Sequence, residues 1–147
     1  MAAQINDLPV LVLAAANSIG DAIHAGVVAR GFIDVRPAHG YAFTRLAPTG
    51  ATVGELAEHL GVTKQAASQL VDELVGKGYV ERRPHPTDAR ARLIVLSERG
   101  WACTRAADEA IVDAIRPWVA VLGERRLRAM RDDLARVVPV GRLRPTW

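Results

Sequence analysis

Residues 52–78 contain two short helix patterns joined by a tight turn, and this spacing constrains the fold more than any other feature. Thr52 begins a capping-box pattern of the form Thr-x-x-Glu, which marks the start of the first helix. Thr63 is expected to cap the second helix. Glycine adopts a positive φ easily, so Gly61 makes the turn, and Val62 is expected to pack between the helices. The segment therefore predicts a helix-turn-helix.

The pattern changes from helical to extended immediately after these helices. Residues 79–83 and 92–96 have the composition of short strands, whereas the segment from Pro84 to Ala89 is rich in turn-forming residues. Two such strands separated by a polar loop predict a β-hairpin. A hairpin that follows a helix-turn-helix is the wing of a winged helix-turn-helix.

Helical patterns also flank this central region. Residues 7–30 form a helix that is apolar on most of its circumference, which predicts burial nearly all round, and a subunit interface is a natural place for it. After the hairpin, Ser97 is expected to cap a long helix, and a last helix covers about residues 124–138. We therefore predict a mainly α fold with a small β-hairpin wing, in which N- and C-terminal helices flank the winged helix-turn-helix.

The predicted elements divide the chain into three parts. The predicted parts are an N-terminal helix (1–35), the winged helix-turn-helix (36–99, with its second helix at about 63–77 and its wing at about 79–96) and C-terminal helices (100–147).

Charge is distributed unevenly along the chain. The sequence contains 19 basic residues, nearly all arginine, against 16 acidic ones, for a formal net charge of +3. This small excess permits nucleic-acid binding without requiring it. Seven basic residues fall within 63–99, the segment that contains the second helix of the helix-turn-helix and the wing. A solvated helix face is the alternative explanation for such a cluster.

Several other classes of protein are excluded by the sequence. The single cysteine rules out an intramolecular disulfide and a cysteine-rich zinc module. No unbroken apolar run approaches the roughly 20 residues of a membrane span, and no signal peptide is recognisable, so we expect a cytoplasmic protein without a membrane partner. No nucleophile elbow, phosphate loop or paired-carboxylate motif is present, so we expect neither an enzyme nor a bound cofactor.

The start of the predicted recognition helix carries side chains suited to reading base edges. Glutamine pairs bidentately with adenine, lysine reaches guanine acceptors or phosphate, and serine serves several edges. Because Gln65 and Gln69 are four residues apart, they lie on one helix face. The candidate contacts from this helix are Thr63, Lys64, Gln65, Ser68 and Gln69.

The wing provides the second group of candidate contacts. Arg90 and Arg92 lie where a wing reaches the minor groove, and arginine is favoured in a narrow, electronegative groove. Arg82 and Arg83 at the base of the wing are expected to contact phosphates. Asp88 is expected to pair with a neighbouring arginine and to fix the loop.

Three segments of the sequence resemble the MarR family of bacterial regulators. The first runs from Val53 to Ser68 and includes the turn, and the second runs from Leu70 to Arg82. The third, Pro86 to Gly100, is the most specific, because it matches the family's Asp-x-Arg wing and the Leu-Ser/Thr-x-x-Gly sequence at the start of the next helix. The family often has arginine where Ala89 stands, which leaves Arg90 as the wing-tip residue.

The resemblance implies a homodimeric transcription regulator, most often a repressor. In it, residues 36–99 would be the DNA-binding domain, with the recognition helix at about 63–77, and the N-terminal (1–35) and C-terminal (100–147) helices would be the dimerisation helices. Its two recognition helices would read successive major grooves of an inverted-repeat operator in double-stranded DNA, with half-sites roughly 10 bp apart. A small ligand bound between the DNA-binding and dimerisation parts would weaken DNA binding. Two alternatives stay open, namely a winged-helix protein-interaction module without DNA binding and a small-molecule-binding module or enzyme that reuses the fold.

The remaining polar and aromatic residues suggest weaker sites. A small aromatic or anionic effector would be bound by some of Arg36, His39, Tyr41, Phe43, Trp101 and Trp118, although core packing is the commoner role of such aromatic residues. Cys103 is expected to be a small buried residue rather than a redox sensor. His24, His39 and Cys103 lie on different predicted helices without the close spacing of metal ligands, so no metal is expected.

Overall fold

The computed structural model describes residues 6–138; the ends of the predicted dimerisation parts, 1–5 and 139–147, lie outside the described residues. The elements in chain order are α1 (Leu8–Ala29), α2 (Pro37–Leu46), α3 (Val53–Leu60), α4 (Lys64–Gly76), β1 (Val80–Pro84), β2 (Arg92–Leu96), α5 (Glu98–Leu122) and α6 (Glu124–Val137). The fold is mainly α with one antiparallel hairpin, which confirms the predicted winged helix-turn-helix with flanking helices.

The helix-turn-helix forms as its capping residues predict. The Thr52 side chain accepts a hydrogen bond from the Glu55 backbone N–H, and the Glu55 carboxylate accepts one from the Thr52 N–H. Gly61 follows α3 in the left-handed conformation, with φ of 65°. The prediction for Val62 is wrong: its side chain is 41% exposed, and Leu60 is buried instead. The left-handed turn directs the residue after Gly61 outward, so Leu60 provides the apolar contact.

The first strand of the hairpin begins and ends one residue later than the predicted 79–83, because it runs from Val80 to Pro84. Val80 pairs with Leu96 at the base, and Pro84, which we expected in the loop, pairs with Arg92 at the far end. Proline is tolerated there because it lies at the end of a strand in a two-stranded sheet. A short bridge between Ala51 and Ile94 attaches the hairpin to the segment before α3. The wing is therefore held against the helix-turn-helix at its base.

The core lies between the helix-turn-helix, α2 and the start of α5. Tyr79 is fully buried at its centre, with its ring 5.7 Å from that of Phe43 and 6.3 Å from that of Phe32. Leu56, Leu74 and Ile94 are buried around it, one each from α3, α4 and β2. The core therefore joins the recognition helix and the wing into one packed unit.

The C-terminal half of α1 packs along α5. Gly26 approaches so closely that a Cβ there would lie 2.7 Å from the Ala110 Cβ. At the end of the helix, Arg30 donates hydrogen bonds to Glu109 (3.0 Å) and Asp113 (2.7 Å). The first turns of α1, by contrast, are exposed in the single chain rather than buried all round, with Leu11 and Leu13 both more than half exposed.

The length and mean hydropathy of α1 would also allow it to cross a membrane. No unbroken apolar run of that length is present, as predicted, because polar residues such as Asn17 and Asp21 interrupt it. The average hydropathy of the helix is nevertheless high enough to pass a test of length and composition, which a core helix or a signal sequence can also pass.

Candidate nucleic-acid interface

The N-terminal cap of α4 and the packing of its apolar side together determine which face of the helix is exposed. The Thr63 hydroxyl accepts a hydrogen bond from the Ala66 N–H at 3.1 Å. Ala67, Val71 and Leu74 are buried against the core and fix the rotation of the helix. Lys64, Gln65 and Gln69 are consequently exposed and Ser68 is half-buried. The structure thus brings the predicted base-reading residues to one surface, although the Thr63 hydroxyl is engaged in capping.

Basic residues around this surface fall into paired and unpaired groups. Arg82 forms a salt bridge with Asp72 of α4, and Arg83 forms one with Glu81 at 3.0 Å. Lys64, Arg90 and Arg92 are exposed, and none of them makes a side-chain hydrogen bond or ion pair within residues 6–138. The unpaired cations are therefore those at the start of α4 and on the wing.

Asp88 fixes the wing loop in a different way from the one predicted. Its carboxylate accepts a hydrogen bond from the backbone N–H of Arg90 at 2.9 Å instead of pairing with a guanidinium group. The Arg90 guanidinium is left unengaged. Local geometry explains the difference, because a short acidic side chain two residues before a backbone N–H readily closes an Asx turn.

A polar cluster that the sequence did not predict lies behind α4. Glu73 of α4 contacts Arg36, Lys77 and His39, with its Oε1 atom 2.7 Å from Lys77 Nζ and 3.3 Å from His39 Nε2. Hydrogen bonds from Lys77 and Arg36 lower the pKa of Glu73 to about 2. Only the Glu73–Lys77 pair, four residues apart on one helix, was visible in the sequence.

His39 is fully buried in this cluster. Its Nδ1 accepts a hydrogen bond from the Arg36 backbone N–H at 3.1 Å, and the side-chain–backbone pair closes the start of α2. Burial lowers the pKa of His39, partly opposed by Glu73. His39 and Arg36, both predicted as effector contacts, are thus already engaged with Glu73 of the recognition helix.

A second polar group joins the loop before α2 to the start of α5. The Tyr79 hydroxyl donates a hydrogen bond to Asp34 at 2.5 Å, and the Arg99 guanidinium lies 4.5 Å from the centre of the Tyr79 ring. Burial and the Asp34 carboxylate raise the pKa of Tyr79 to about 12, while the hydrogen bond from Tyr79 lowers the pKa of Asp34. The sequence carried no signal for this contact, because the three residues are distant along the chain.

The six predicted effector residues do not line one pocket. Phe43 is in the core, whereas Trp101 is 42% exposed near the start of α5. Trp118 instead lines an apolar groove of about 1040 Å³ between α1, α5 and α6. The other lining residues include Leu8, Leu11, Ala15, Ile115, Met130 and Leu134.

Cys103 is buried, and burial raises the pKa of its thiol to about 11, which disfavours the reactive thiolate. The described residues contain no group of three or more histidine, cysteine or acidic side chains that would hold a metal ion.

Residues 33–91 match the model of the MarR family. An uncharacterized HTH-type transcriptional regulator of Mycobacterium bovis is 35% identical over 94 residues, which make up 63% of this chain and 63% of that protein. A second such regulator, from Mycobacterium leprae, is 37% identical over 70 residues, or 47% and 49% of the two chains. The chain thus spans less than two thirds of the length of these curated relatives.

Solved structures match over most of the chain. Escherichia coli MarR in its apo form superposes with a TM-score of 0.72 at 23% identity, covering 90% of this chain and 96% of that one. A mutant of the same protein complexed with operator DNA gives 0.73 at 23% identity, with coverage of 92% and 96%. The transcriptional repressor CouR, bound to a 23-mer DNA duplex, gives 0.72 at 21% identity, with coverage of 90% and 96%. These likenesses establish the shared fold.

Proposed function

We propose that this chain is a member of the MarR family of winged helix-turn-helix proteins and acts as a sequence-specific, double-stranded-DNA-binding transcriptional regulator. One observation carries the proposal: the start of α4 exposes polar side chains, and the wing exposes arginines that have no acidic partner among the described residues. Gln65 and Gln69 are suited to base edges, while Arg90 and Arg92 are suited to a groove or its phosphates. Two similarly folded proteins have been solved in complex with DNA, which supports the proposal of DNA binding.

The proposed roles divide between bases and backbone. Lys64, Gln65, Ser68 and Gln69 read the major groove, and Thr63 contributes as the cap that presents them. Arg90 and Arg92 contact the DNA from the wing. Arg82 and Arg83 already have acidic partners, so we assign them a supporting contribution to phosphate binding.

We further propose that the protein acts as a cytoplasmic homodimer on an inverted repeat. The region 36–99 binds DNA, and the flanking helices dimerise through the apolar groove between α1, α5 and α6. That groove is lined by leucine, isoleucine, methionine and tryptophan side chains, which a second copy would remove from water. Because a two-fold axis pairs two identical surfaces, each protomer would place one recognition helix on one half-site.

Repression relieved by a small aromatic or anionic ligand is the regulatory mode that the family resemblance suggests. A ligand relieves repression only if it binds the DNA-incompetent conformation more tightly. Adding a panel of aromatic acids to the protein–DNA complex tests this mode. Release of DNA at a concentration that also shifts the melting temperature supports it, whereas release by none of them counts against it.

The central test is a fluorescence-anisotropy titration with the double-stranded DNA upstream of the protein's own gene. We expect saturable binding that survives excess random-sequence DNA and weakens steeply with salt, because phosphate contacts release counterions. Footprinting should then show a protected inverted repeat. Equal affinity for the upstream and random sequences would overturn the proposed sequence specificity.

A further inference from the structure

The loop at the tip of the wing is organised around one histidine. His85 follows β1, and its ring nitrogen Nδ1 lies 3.2 Å from the backbone nitrogen of Thr87 and 3.1 Å from that of Asp88. Both of these groups are N–H donors, so Nδ1 accepts two backbone hydrogen bonds. The Thr87 hydroxyl oxygen lies 3.4 Å from the same atom. One side chain therefore holds two consecutive peptide groups of the loop.

This arrangement requires a particular form of the ring. A nitrogen that accepts hydrogen bonds carries no proton, so the neutral ring of His85 has its proton on Nε2. A proton on Nδ1 would turn the acceptor into a donor that faces two other donors. Only the neutral ring with this tautomer can hold the loop as observed.

The hydrogen bonds continue from His85 to Arg90 through Asp88. While the Asp88 N–H donates to His85, the Asp88 carboxylate accepts from the Arg90 N–H at 2.9 Å. The Asp88 carbonyl oxygen also accepts from the Ala91 N–H at 3.1 Å. Residues 86–90 are exposed, so the core does not hold them in place. These local hydrogen bonds are therefore what fixes the backbone from which the Arg90 side chain extends.

We propose that His85 is a positioning residue for DNA binding: it fixes the wing loop through Thr87 and Asp88 and thereby sets the location of Arg90. The effect on DNA affinity rests on the proposed function. The effect on the loop does not, because the loop can be studied without DNA. Two measurements therefore separate a failure of the inference from a failure of the proposed function.

The first measurement is amide hydrogen exchange of the full-length protein, followed by NMR without DNA. The variants are His85→Ala, His85→Asn and His85→Gln. The Oδ1 atom of asparagine takes the place of Nδ1, whereas the glutamine amide lies one carbon farther out. We expect slow exchange at Thr87 and Asp88 in the wild type and in His85→Asn, and fast exchange in the other two. Equal exchange rates in all four proteins would overturn the role of His85.

The second measurement is affinity for the operator. Each lost hydrogen bond of this kind contributes modestly, so we expect His85→Ala and His85→Gln to weaken binding roughly three- to tenfold, with His85→Asn within about twofold of the wild type. In an Arg90→Ala background, His85→Ala should add little, because it acts through Arg90. Additive losses would show that His85 acts independently and would overturn the proposed route.

Melting temperatures of the three variants serve as the structural control and should agree, because the loop lies outside the core. If the wild type bound no DNA, both the proposed function and the expected effect of His85 on affinity would be refuted. Amide exchange would still decide whether His85 holds the loop.

Discussion

At the residue scale, the feature that separates binding candidates from structural residues is whether a cation has an acidic partner. Arg82, Arg99 and Lys77 are each paired with a carboxylate that belongs to the same folded unit. Lys64 and Arg90 keep their charge free within the described chain. An unpaired, exposed cation loses no intramolecular interaction when it meets a phosphate, so its contribution to affinity is undiminished.

Removing a base contact and removing a backbone contact should change DNA binding in different ways. Gln65→Ala should reduce discrimination between the preferred base and its substitutes by about 1–3 kcal/mol, because a bidentate base contact is lost. Arg90→Ala should weaken binding to all sequences and lower the salt slope by about 1. Anisotropy titrations against the operator, its single-base variants and several salt concentrations measure both.

Arg105→Ala is the matched control for these variants, since Arg105 is exposed on α5 and belongs neither to α4 nor to the wing. It should leave affinity and specificity nearly unchanged. If Gln65→Ala instead weakened binding to every sequence equally, the division between base and backbone contacts would be wrong.

At the element scale, the start of α5 is tied to the end of the helix-turn-helix. The Ser97 hydroxyl accepts a hydrogen bond from the Gly100 N–H at 3.1 Å and donates one to the Gly78 carbonyl oxygen at 2.6 Å. Gly100 is buried against the Tyr79 carbonyl oxygen and the Leu96 side chain. The Leu-Ser-x-x-Gly sequence that resembles the family pattern therefore has a physical reason: it combines a helix cap with a close approach between elements.

Gly100→Ala should destabilise the protein by about 1–3 kcal/mol, because the added Cβ would overlap the backbone carbonyl oxygen of Tyr79 and force the elements apart. Gly40→Ala is the matched control, since a Cβ there meets no atom within 4 Å and lies in a helix. It should stabilise by up to about 1 kcal/mol. Denaturant unfolding measures both changes; equal free energies of unfolding for the two variants would contradict the proposed packing.

At the scale of the whole molecule, stability should depend on pH through the cluster behind α4. The folded pKa of Glu73 is about 2, below its ordinary 4.5, so its contribution is present above pH 4.5 and is lost as the pH falls toward 2. The folded pKa of His39 is also lowered, from 6.5, so the unfolded chain binds its proton first, and stability falls below about pH 6.5.

Urea denaturation between pH 8 and pH 3 should therefore show falling stability on the acid side. His39→Asn keeps an acceptor near Nδ1 but cannot titrate, so it should flatten the decline that begins below about pH 6.5. Glu73→Gln should flatten the decline below about pH 4.5. Unchanged pH profiles in both variants would show that other groups control acid stability.

The flanking helices make a second prediction at this scale. Leu11 lines the apolar groove and is 58% exposed in the single chain, so Leu11→Arg should place a charge in the proposed dimer interface. Light scattering after size exclusion should then report a mass near 15.8 kDa instead of about twice that value. Operator affinity should fall because one protomer reads one half-site.

Ile33→Arg is the control for this variant, since Ile33 is 78% exposed but is not among the residues that line the groove. It should leave the mass unchanged. A monomeric wild type, or a Leu11→Arg variant with the mass of the wild type, would contradict dimerisation through this groove.

Local sequence patterns were enough to predict the secondary-structure elements and most of the candidate DNA contacts. Caps at Thr52, Thr63 and Ser97 and the turn at Gly61 are local signals, because each depends on backbone geometry within a few residues. The periodicity of α4 then determined which of its side chains face outward. Local rules failed at Val62 and Pro84, where the neighbouring elements decided burial and pairing.

Contacts between polar residues of different elements, by contrast, could not be predicted from such local patterns. Glu73 contacts Arg36 and His39, and Tyr79 contacts Asp34 and Arg99, across separations that no helical or strand period encodes. The same holds for the dispersal of the predicted effector residues and for the groove that Trp118 lines. Spacing along a chain specifies neighbours within one element, whereas contacts between elements depend on how the hydrophobic core orients them.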